Sequence, residues 1–197
     1  MSKPRYRYRL GWRSLRHVCP SLSEARARAL AVDLADAMRR FAPPGGWTAR
    51  EAAHFIAQCA HESGEFRYTR ELWGPTAVQR GYWRRRELGN WLPAHGYRYR
   101  GAGYIQVTGR ANFKAAARRL GMRLGTLSRR AGDRDVAALL AAQWWRSAFP
   151  RGTGRRTCRE VTRVVNGGYN GLVERERYFA RALERQEFLV PKRRPPG

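Results

Sequence analysis

The sequence lacks any apolar run long enough to cross a bilayer, and acidic residues are scarce. A spanning helix needs about 20 consecutive apolar residues, and the apolar stretch 136–145 is far shorter. Fifteen Asp and Glu face 40 Lys and Arg, so the formal net charge is +25 at pH 7, almost all of it from Arg. Such a charge attracts polyanions, which include nucleic acid, anionic lipid and acidic cell-wall polymers.

Cysteine is also rare, with three residues scattered along the chain and no C-x-x-C pair. This pattern argues against a disulfide framework and a zinc site, and we expect reduced thiols in a cytosolic product. The first twelve residues are rich in Arg and Tyr where a signal peptide would be apolar. Gly101 and Gly103 form a G-x-G without the third glycine of a dinucleotide site, so the sequence predicts neither a metal nor a cofactor.

What is present indicates one folded domain. The chain has 197 residues, 43% of them hydrophobic and seven of them Trp, enough for a substantial core. We predict a basic N-terminal arm over residues 1–20, a catalytic domain over 21–188 and a disordered basic tail over 189–197.

Helical periodicity dominates and predicts a mainly α fold with little or no β-structure. Capping-box patterns, in which a Ser or Thr precedes a Glu by three residues, begin at Ser21, Thr48 and Thr157. The helix after Ser21 is predicted to end near Phe41. Further helices are predicted over 111–120, 135–149 and 172–188.

The helix after Thr48 ends in a His-Glu pair, His61 and Glu62, beside Gly64. At about 100° per residue, Glu62 shares the azimuth of the apolar Phe55. Burial there would raise the pKa of the carboxyl group, as a general acid requires. An exposed Glu at a frayed helix end is the alternative.

Residues 67–104 show no clear period and are crowded with aromatic residues. Long irregular segments in compact domains are usually functional, and aromatic side chains such as Trp73 and Tyr104 commonly stack on sugar rings. They equally suit a small core beneath the loops. Both interpretations stay open.

A second acid, Glu71, follows Glu62 by nine residues. Two carboxyl groups across a cleft suit glycoside hydrolysis, with about 6.5–9.5 Å between them in an inverting enzyme. Gln106 and Thr108 would lie on one face of a short extended segment and could position water. Alternatively, Glu71 forms a salt bridge with a nearby arginine, and Glu65 and Glu87 compete for its role.

Four motifs occur in the order typical of glycoside hydrolase family 19, and the chain resembles its chitinase-like phage endolysins over roughly residues 15–185. The motifs occupy 60–64 (Ala-His-Glu-Ser-Gly), 70–76 (Arg-Glu-Leu-Trp-Gly-Pro-Thr), 97–112 and 165–171 (Val-Asn-Gly-Gly-Tyr-Asn-Gly). The third motif departs from the family pattern, because Ala102 stands where the family usually has Arg.

The resemblance implies a lysozyme-like fold of the α+β superfamily, with a deep substrate cleft and an inverting mechanism. It implies Glu62 as general acid, Glu71 as general base, and Gln106 and Thr108 as the holders of the attacking water. Sugar contacts are implied for His61, Asn112, Asn166 and Arg175.

The leading hypothesis is a monomeric endolysin that cleaves β-1,4 bonds of peptidoglycan glycan strands. It would stay in the host cytoplasm until release and then act in the periplasm or cell wall. Its arginine-rich surface would attract anionic wall polymer or outer-membrane lipid. Chitin is the competing substrate. A nucleic-acid-binding protein is the alternative from another class, but the arginines are spread over nearly every segment where a concentrated basic stripe would be expected.

Overall fold

The structure, a computed structural model, describes residues 8–9, 11–43, 45–185 and 190–191. Helices dominate this part of the chain, and a two-stranded antiparallel pair, β1 (Tyr8–Arg9) with β2 (Val190–Pro191), is its one sheet. The helices are α1 (Trp12–Val18), α2 (Glu24–Arg40), α3 (Ala49–Glu62), α4 (Ala77–Gly81), α5 (Pro93–Arg98), α6 (Arg110–Leu120), α7 (Leu124–Arg130), α8 (Arg134–Ala148), α9 (Cys158–Asn166) and α10 (Leu172–Glu184). The predicted mainly α fold is confirmed.

Helix α3 lies at the centre of the fold. The sequence predicts one apolar face, whereas every residue from Glu51 to Ala60 is buried. The ring of Phe55 contacts Trp145 of α8 edge-on, at 5.4 Å between centroids, and Trp47 at 5.3 Å. Helices α10 and α9 cover other sides of α3. Because it is enclosed all round, α3 presents Glu62 from a rigid support.

Of the three predicted capping boxes, the one at Thr157 forms completely and the other two do not. At Thr157 both reciprocal hydrogen bonds form with Glu160, as expected. Thr48 caps α3 by accepting from the amide of Glu51, but the Glu51 side chain is buried and accepts from Trp145 Nε1 at 3.4 Å. The cap of α2 is Ser23 and not Ser21. A local pattern thus located the helix starts, and core packing decided where the side chains went.

The domain extends further toward the N-terminus than the predicted boundary at residue 20. Helix α1 packs on α2 and α10, and Leu15, Val18 and Cys19 are fully buried. Two residues of the predicted tail, Val190–Pro191, pair with Tyr8–Arg9. The remaining predictions for the arm and tail concern residues 1–7, 10, 186–189 and 192–197, which lie outside the described residues.

The aromatic segment 67–104 contains more regular structure than its sequence suggests. Besides α4 and α5 it forms two short 3₁₀ helices, Tyr82–Arg84 and Arg86–Leu88. Their brevity explains why no period is visible. Helix α7 was not predicted either. Within the described ranges, no helix combines the length and apolar character needed to cross a membrane.

Candidate active site

Glu62 is the last residue of α3, and its carboxyl group is bound by an arginine from α10. Arg175 Nη2 donates to Glu62 Oε1 at 2.5 Å, where the Glu62 side chain keeps 18% of its accessible surface. The apolar surroundings expected from the sequence are therefore replaced, in part, by a guanidinium group.

Arg175 itself is buried, which corrects its expected role as a sugar contact. Its side chain is 1% exposed, and it donates through Nη1 to Gln58 Oε1 at 2.5 Å and through Nε to the Asn170 carbonyl at 3.1 Å. Gln58 in turn donates to Thr162 Oγ1 of α9 at 3.0 Å. These bonds tie α3, α9 and α10 together directly behind Glu62, so that Arg175 orients the Glu62 carboxyl group.

His61 lies beside Glu62 and is fixed by the start of α10. Its Nδ1 is 2.5 Å from Glu174 Oε2. The ring rests on the backbone of Gly171, where a Cβ would lie 2.0 Å from His61 Cε1. Only glycine leaves room for the imidazole here, and the φ of +69° at this position also favours glycine.

A left-handed turn connects the Glu62 region to the next motif. Gly64, Glu65 and Phe66 all have positive φ, at 55°, 56° and 62°. Phe66 is buried against Tyr104, and Glu65 accepts from the Ser21 amide at 2.9 Å and from the Tyr178 hydroxyl at 3.1 Å. Strained backbone of this kind persists where surrounding contacts over-determine it. The Glu65 carboxyl group is thus used in hydrogen bonds that hold this turn against its neighbours.

Glu71 is held by three donors from three different segments. Oε1 accepts from Gln79 Nε2 at 3.0 Å and from the Tyr82 hydroxyl at 3.2 Å, and Oε2 accepts from the Gly101 amide at 3.1 Å. Burial and the nearby Glu71 charge raise the pKa of Tyr82, which keeps its hydroxyl protonated as a donor. No ion pair with an arginine side chain forms at Glu71 among the described residues. The alternative of a structural salt bridge is therefore not the arrangement seen here.

Gln79 connects the Glu71 carboxyl group to the turn that follows it. The side chain is buried, and its Nε2 donates also to the Leu72 carbonyl at 2.8 Å. Its Oε1 accepts from the amides of Gly74 and Thr76 at 3.1 and 2.9 Å, and the second of these bonds completes a capping box at the start of α4. One amide group thus orders the loop and orients the carboxylate.

Gln106 and Thr108 lie next to Glu71, although not on the extended segment predicted. Gln106 is in a turn with φ of 53°, within the Ala102–Val107 bridge. A Cβ on Gly101 would lie 2.6 Å from Gln106 Oε1 and 3.4 Å from both Glu71 Cβ and Thr108 Oγ1. Gly101 is therefore the small residue around which these three side chains meet.

The other predicted contacts divide into exposed and buried ones. Asn112 and Asn166 are exposed; Asn112 Nδ2 donates to the Thr108 carbonyl at 2.7 Å and Asn166 Oδ1 accepts from the Asn170 amide at 3.3 Å. Trp73 is half-buried against Tyr82 and Tyr97. Tyr104 is fully buried, so its expected contact with a sugar is wrong: the ring belongs to the core beside Phe66.

Several positioning residues escaped the sequence analysis, namely Gln58, Gln79, Tyr82, Gly171 and Glu174. Gln79 had a detectable signal, since Thr76-x-x-Gln79 is a capping-box pattern. The others are recognisable only by their long-range contacts.

The site thus consists of two separate groups, one around Glu62 and one around Glu71. Within the described ranges, no side-chain hydrogen bond joins them. That part of the chain also contains no cluster of three or more His, Cys, Asp or Glu side chains suited to a metal ion. Two independently held carboxyl groups can serve as a proton donor and a proton acceptor in the same reaction.

No protein-family model matches the chain. A curated protein of Haemophilus influenzae, described as a glycosyl hydrolase family 19 domain-containing protein, is 30% identical over 160 residues, which cover 68% of this chain and 78% of the relative. The chain belongs to glycoside hydrolase family 19. Endochitinase B of Zea mays is 32% identical to this family 19 protein over 129 residues, 60% of the chain and 40% of the relative.

Solved structures agree with this membership at the level of the fold. Chitinase C from Streptomyces griseus HUT6037 superimposes with a TM-score of 0.68 at 23% identity, covering 93% of this chain and 96% of that one. A class IV family 19 chitinase from Zea mays gives a TM-score of 0.58 at 23% identity, covering 83% and 82%. The predicted family and lysozyme-like fold class of this family 19 protein are confirmed.

Proposed function

We propose that this family 19 glycoside hydrolase is a cell-wall lytic enzyme of the endolysin type, which cleaves β-1,4 bonds of peptidoglycan with inversion. The observation that carries the proposal is the arrangement at Gly101, where Glu71, Gln106 and Thr108 converge and three donors orient the Glu71 carboxylate.

In this mechanism water is activated at the Glu71 group. Glu71 removes a proton from the water as its oxygen attacks the anomeric carbon. Gln106 donates through Nε2 to the Gly103 carbonyl at 3.0 Å, which leaves its Oε1 free to accept the second water hydrogen. Thr108 donates to the Gln106 carbonyl at 2.9 Å, and its oxygen can accept as well. These contacts fix the water on one side of the sugar.

Glu62 acts from the other group as the general acid. Its proton passes to the departing O4 as the glycosidic bond breaks, so that proton uptake by Glu71 is balanced by release from Glu62. Arg175 and Gln58 orient Glu62 from behind, and His61 is placed beside it to contact the sugar.

Charge supports peptidoglycan over chitin as the substrate. Chitin is an uncharged polymer and gains nothing from the field of a protein with a formal net charge of +25. Peptidoglycan carries carboxylates on its peptides, and the walls that contain it carry other anionic polymers, so the same field raises the local enzyme concentration.

Chitin is a second candidate, favoured by the names of the relatives. Endochitinase B of Zea mays and chitinase C of Streptomyces griseus are both described as chitinases. Both polymers contain β-1,4-linked N-acetylglucosamine, so one catalytic arrangement serves either.

The decisive experiment digests purified peptidoglycan and chitin oligomers and analyses the products by mass spectrometry and by NMR of the first anomer formed. We expect new reducing ends from peptidoglycan, released as the α-anomer. A β-anomer would contradict inversion, and products from chitin alone would replace peptidoglycan with the second candidate. New ends from neither polymer would reject the proposal.

The assignment of the two acids is tested by Glu62→Gln and Glu71→Gln. Each is expected to lower kcat by about 10²-fold or more while the variant keeps the helical circular dichroism spectrum of the wild type. Glu87→Gln is the matched control, because Glu87 is exposed and paired with Arg85. Full turnover in Glu71→Gln would show that another residue is the general base.

A further inference from the structure

A basic groove lies on the far side of the element that holds Glu71. Gln79 and Tyr82 lie three residues, or about one turn, apart, and both donate a hydrogen bond to the Glu71 carboxylate. The residues between and around them line a cavity of about 520 Å³, formed by Ala77, Arg80, Gly81, Trp83 and Arg84. The stretch 77–84 therefore presents one face to the catalytic base and another to this groove.

No described residue forms an ion pair with the arginines of the groove. Both of them, Arg80 and Arg84, are exposed. The acidic residue that follows Arg84 most closely in the sequence, Glu87, pairs instead with Arg85, whose Nε lies 2.6 Å from Glu87 Oε1. The guanidinium of Arg84 lies 4.9 Å from the centroid of the Trp83 ring. The groove thus offers two cations beside an aromatic and aliphatic wall.

This combination suits a short peptide that carries carboxylates and methyl groups. Guanidinium groups bind carboxylates through paired N–H donors, while Trp83 and Ala77 offer apolar contact to alanine side chains. The peptide stems of peptidoglycan have this composition, and neither chitin nor a bare glycan strand has it.

The length of a stem peptide suits a glycan strand in the active site whose stem reaches the groove. A helix with its side chains is about 10–12 Å across, and an extended peptide reaches about 3.3–3.6 Å per residue. Because the peptide must pass around the helix, its path is about half the circumference, or about 16–19 Å. A stem of five extended residues, about 16–18 Å long, can cover this path from the face that carries Gln79 and Tyr82 to the groove.

We propose that the groove formed by Ala77, Arg80, Gly81, Trp83 and Arg84 binds the carboxylates of the peptidoglycan stem peptide and so makes this enzyme prefer stem-bearing glycan. The inference rests on the proposed function, since it names the part of the same substrate that the groove recognises.

The test compares two forms of one polymer: purified glycan strands with intact stems, and the same strands freed of peptide by an amidase. The wild-type enzyme is expected to show a kcat/KM about five- to tenfold higher on the stem-bearing form, mainly through a lower KM. Equal kcat/KM values on the two forms would show that the groove does not bind the stem peptide, and the proposed function would be unaffected. Cleavage of chitin oligomers with neither glycan form cleaved would overturn both.

Two double variants test whether the groove is the source of the preference for stem-bearing glycan. Arg80→Gln combined with Arg84→Gln is expected to lower the ratio of the two kcat/KM values toward one. Arg118→Gln combined with Arg123→Gln is the matched control, because both arginines are exposed on the α6–α7 side and the change in net charge is the same. If both double variants lower the ratio equally, general charge explains the preference and the groove does not. Circular dichroism and the unfolding midpoint confirm that each variant is folded.

Discussion

The carboxylate of Glu71 depends on one neutral side chain for both its orientation and the order of its loop. Gln79 accepts from two backbone amides through Oε1 and donates to Glu71 through Nε2. The two functions reside on different atoms of the same amide, and a substitution can separate them.

Gln79→Glu keeps an oxygen for the capping box but replaces the donor with a second carboxylate. Two carboxylates within hydrogen-bond distance hold a shared proton to higher pH, so the acidic limb of the kcat/KM profile should move up by about one pH unit or more. The measurement is kcat/KM between pH 4 and 8.

The control is Gln143→Glu, which places the same substitution at a buried glutamine of α8 that donates to Ser147 at 2.8 Å. It should affect stability and leave the acidic limb in place. An unshifted limb in Gln79→Glu would show that Gln79 orders the loop only.

Tyr104 provides a prediction that follows from the correction of its role. Its hydroxyl is buried without a hydrogen-bond partner among the described residues, and burial raises the pKa of Tyr104 above its usual range. Because a buried unpaired hydroxyl is unfavourable, Tyr104→Phe should leave the free energy of unfolding unchanged or raise it by about 1 kcal/mol. Urea unfolding measures this, and a loss of more than about 2 kcal/mol would reveal a partner for the hydroxyl.

At the scale of elements, α3 carries Glu62 and also makes the stability of the protein depend on pH. His54 is fully buried, stacks on Phe179 at 4.0 Å between ring centroids and has Nε2 3.1 Å from the Arg156 carbonyl. Burial lowers the pKa of His54 to about 4. The helix therefore carries a neutral imidazole that the unfolded chain would protonate below about pH 6.5.

Stability should consequently fall on acidification. Between the folded value of about 4 and the unfolded value near 6.5, the unfolded state binds more protons, so the free energy of unfolding rises with pH and is lost as pH falls through this window. The contribution is on the order of 3 kcal/mol.

His54→Phe should reduce this slope, as measured by urea unfolding at pH 4.5, 5.5 and 7. Glu51, one turn earlier, has the opposite sign, because burial raises the pKa of its carboxyl group. The difference between His54→Phe and wild type isolates the histidine. Identical slopes in the two proteins would assign the acid sensitivity to other groups.

The net charge acts at the scale of the whole molecule. With a formal net charge of +25, attraction to an anionic wall is long-ranged and screened by salt, whose Debye length shortens from about 10 Å at 0.1 M to about 3 Å at 1 M. We expect kcat/KM on peptidoglycan to fall several-fold between about 50 and 500 mM salt, with little change on uncharged chitin oligomers. Equal salt dependence on both substrates would attribute the effect to the enzyme's stability or chemistry.

The sequence by itself determined most of the helices and the identity of the chemical groups. Periodicity and caps are local, so the starts at Thr48 and Thr157 and the end of α6 at Gly121 follow from neighbouring residues. The four ordered motifs likewise indicated the family and pointed to Glu62 and Glu71.

Only the tertiary structure decided what surrounds those groups. Arg175 lies 113 residues from Glu62 in the chain, as Glu174 does from His61, and the Gly101 amide lies 30 residues from Glu71. Such pairings depend on how helices pack. The same packing turned Glu51 inward from its expected cap, buried Tyr104 and Arg175, and placed Gln106 in a left-handed turn, because burial and long-range hydrogen bonds outweigh local preference once the core has formed.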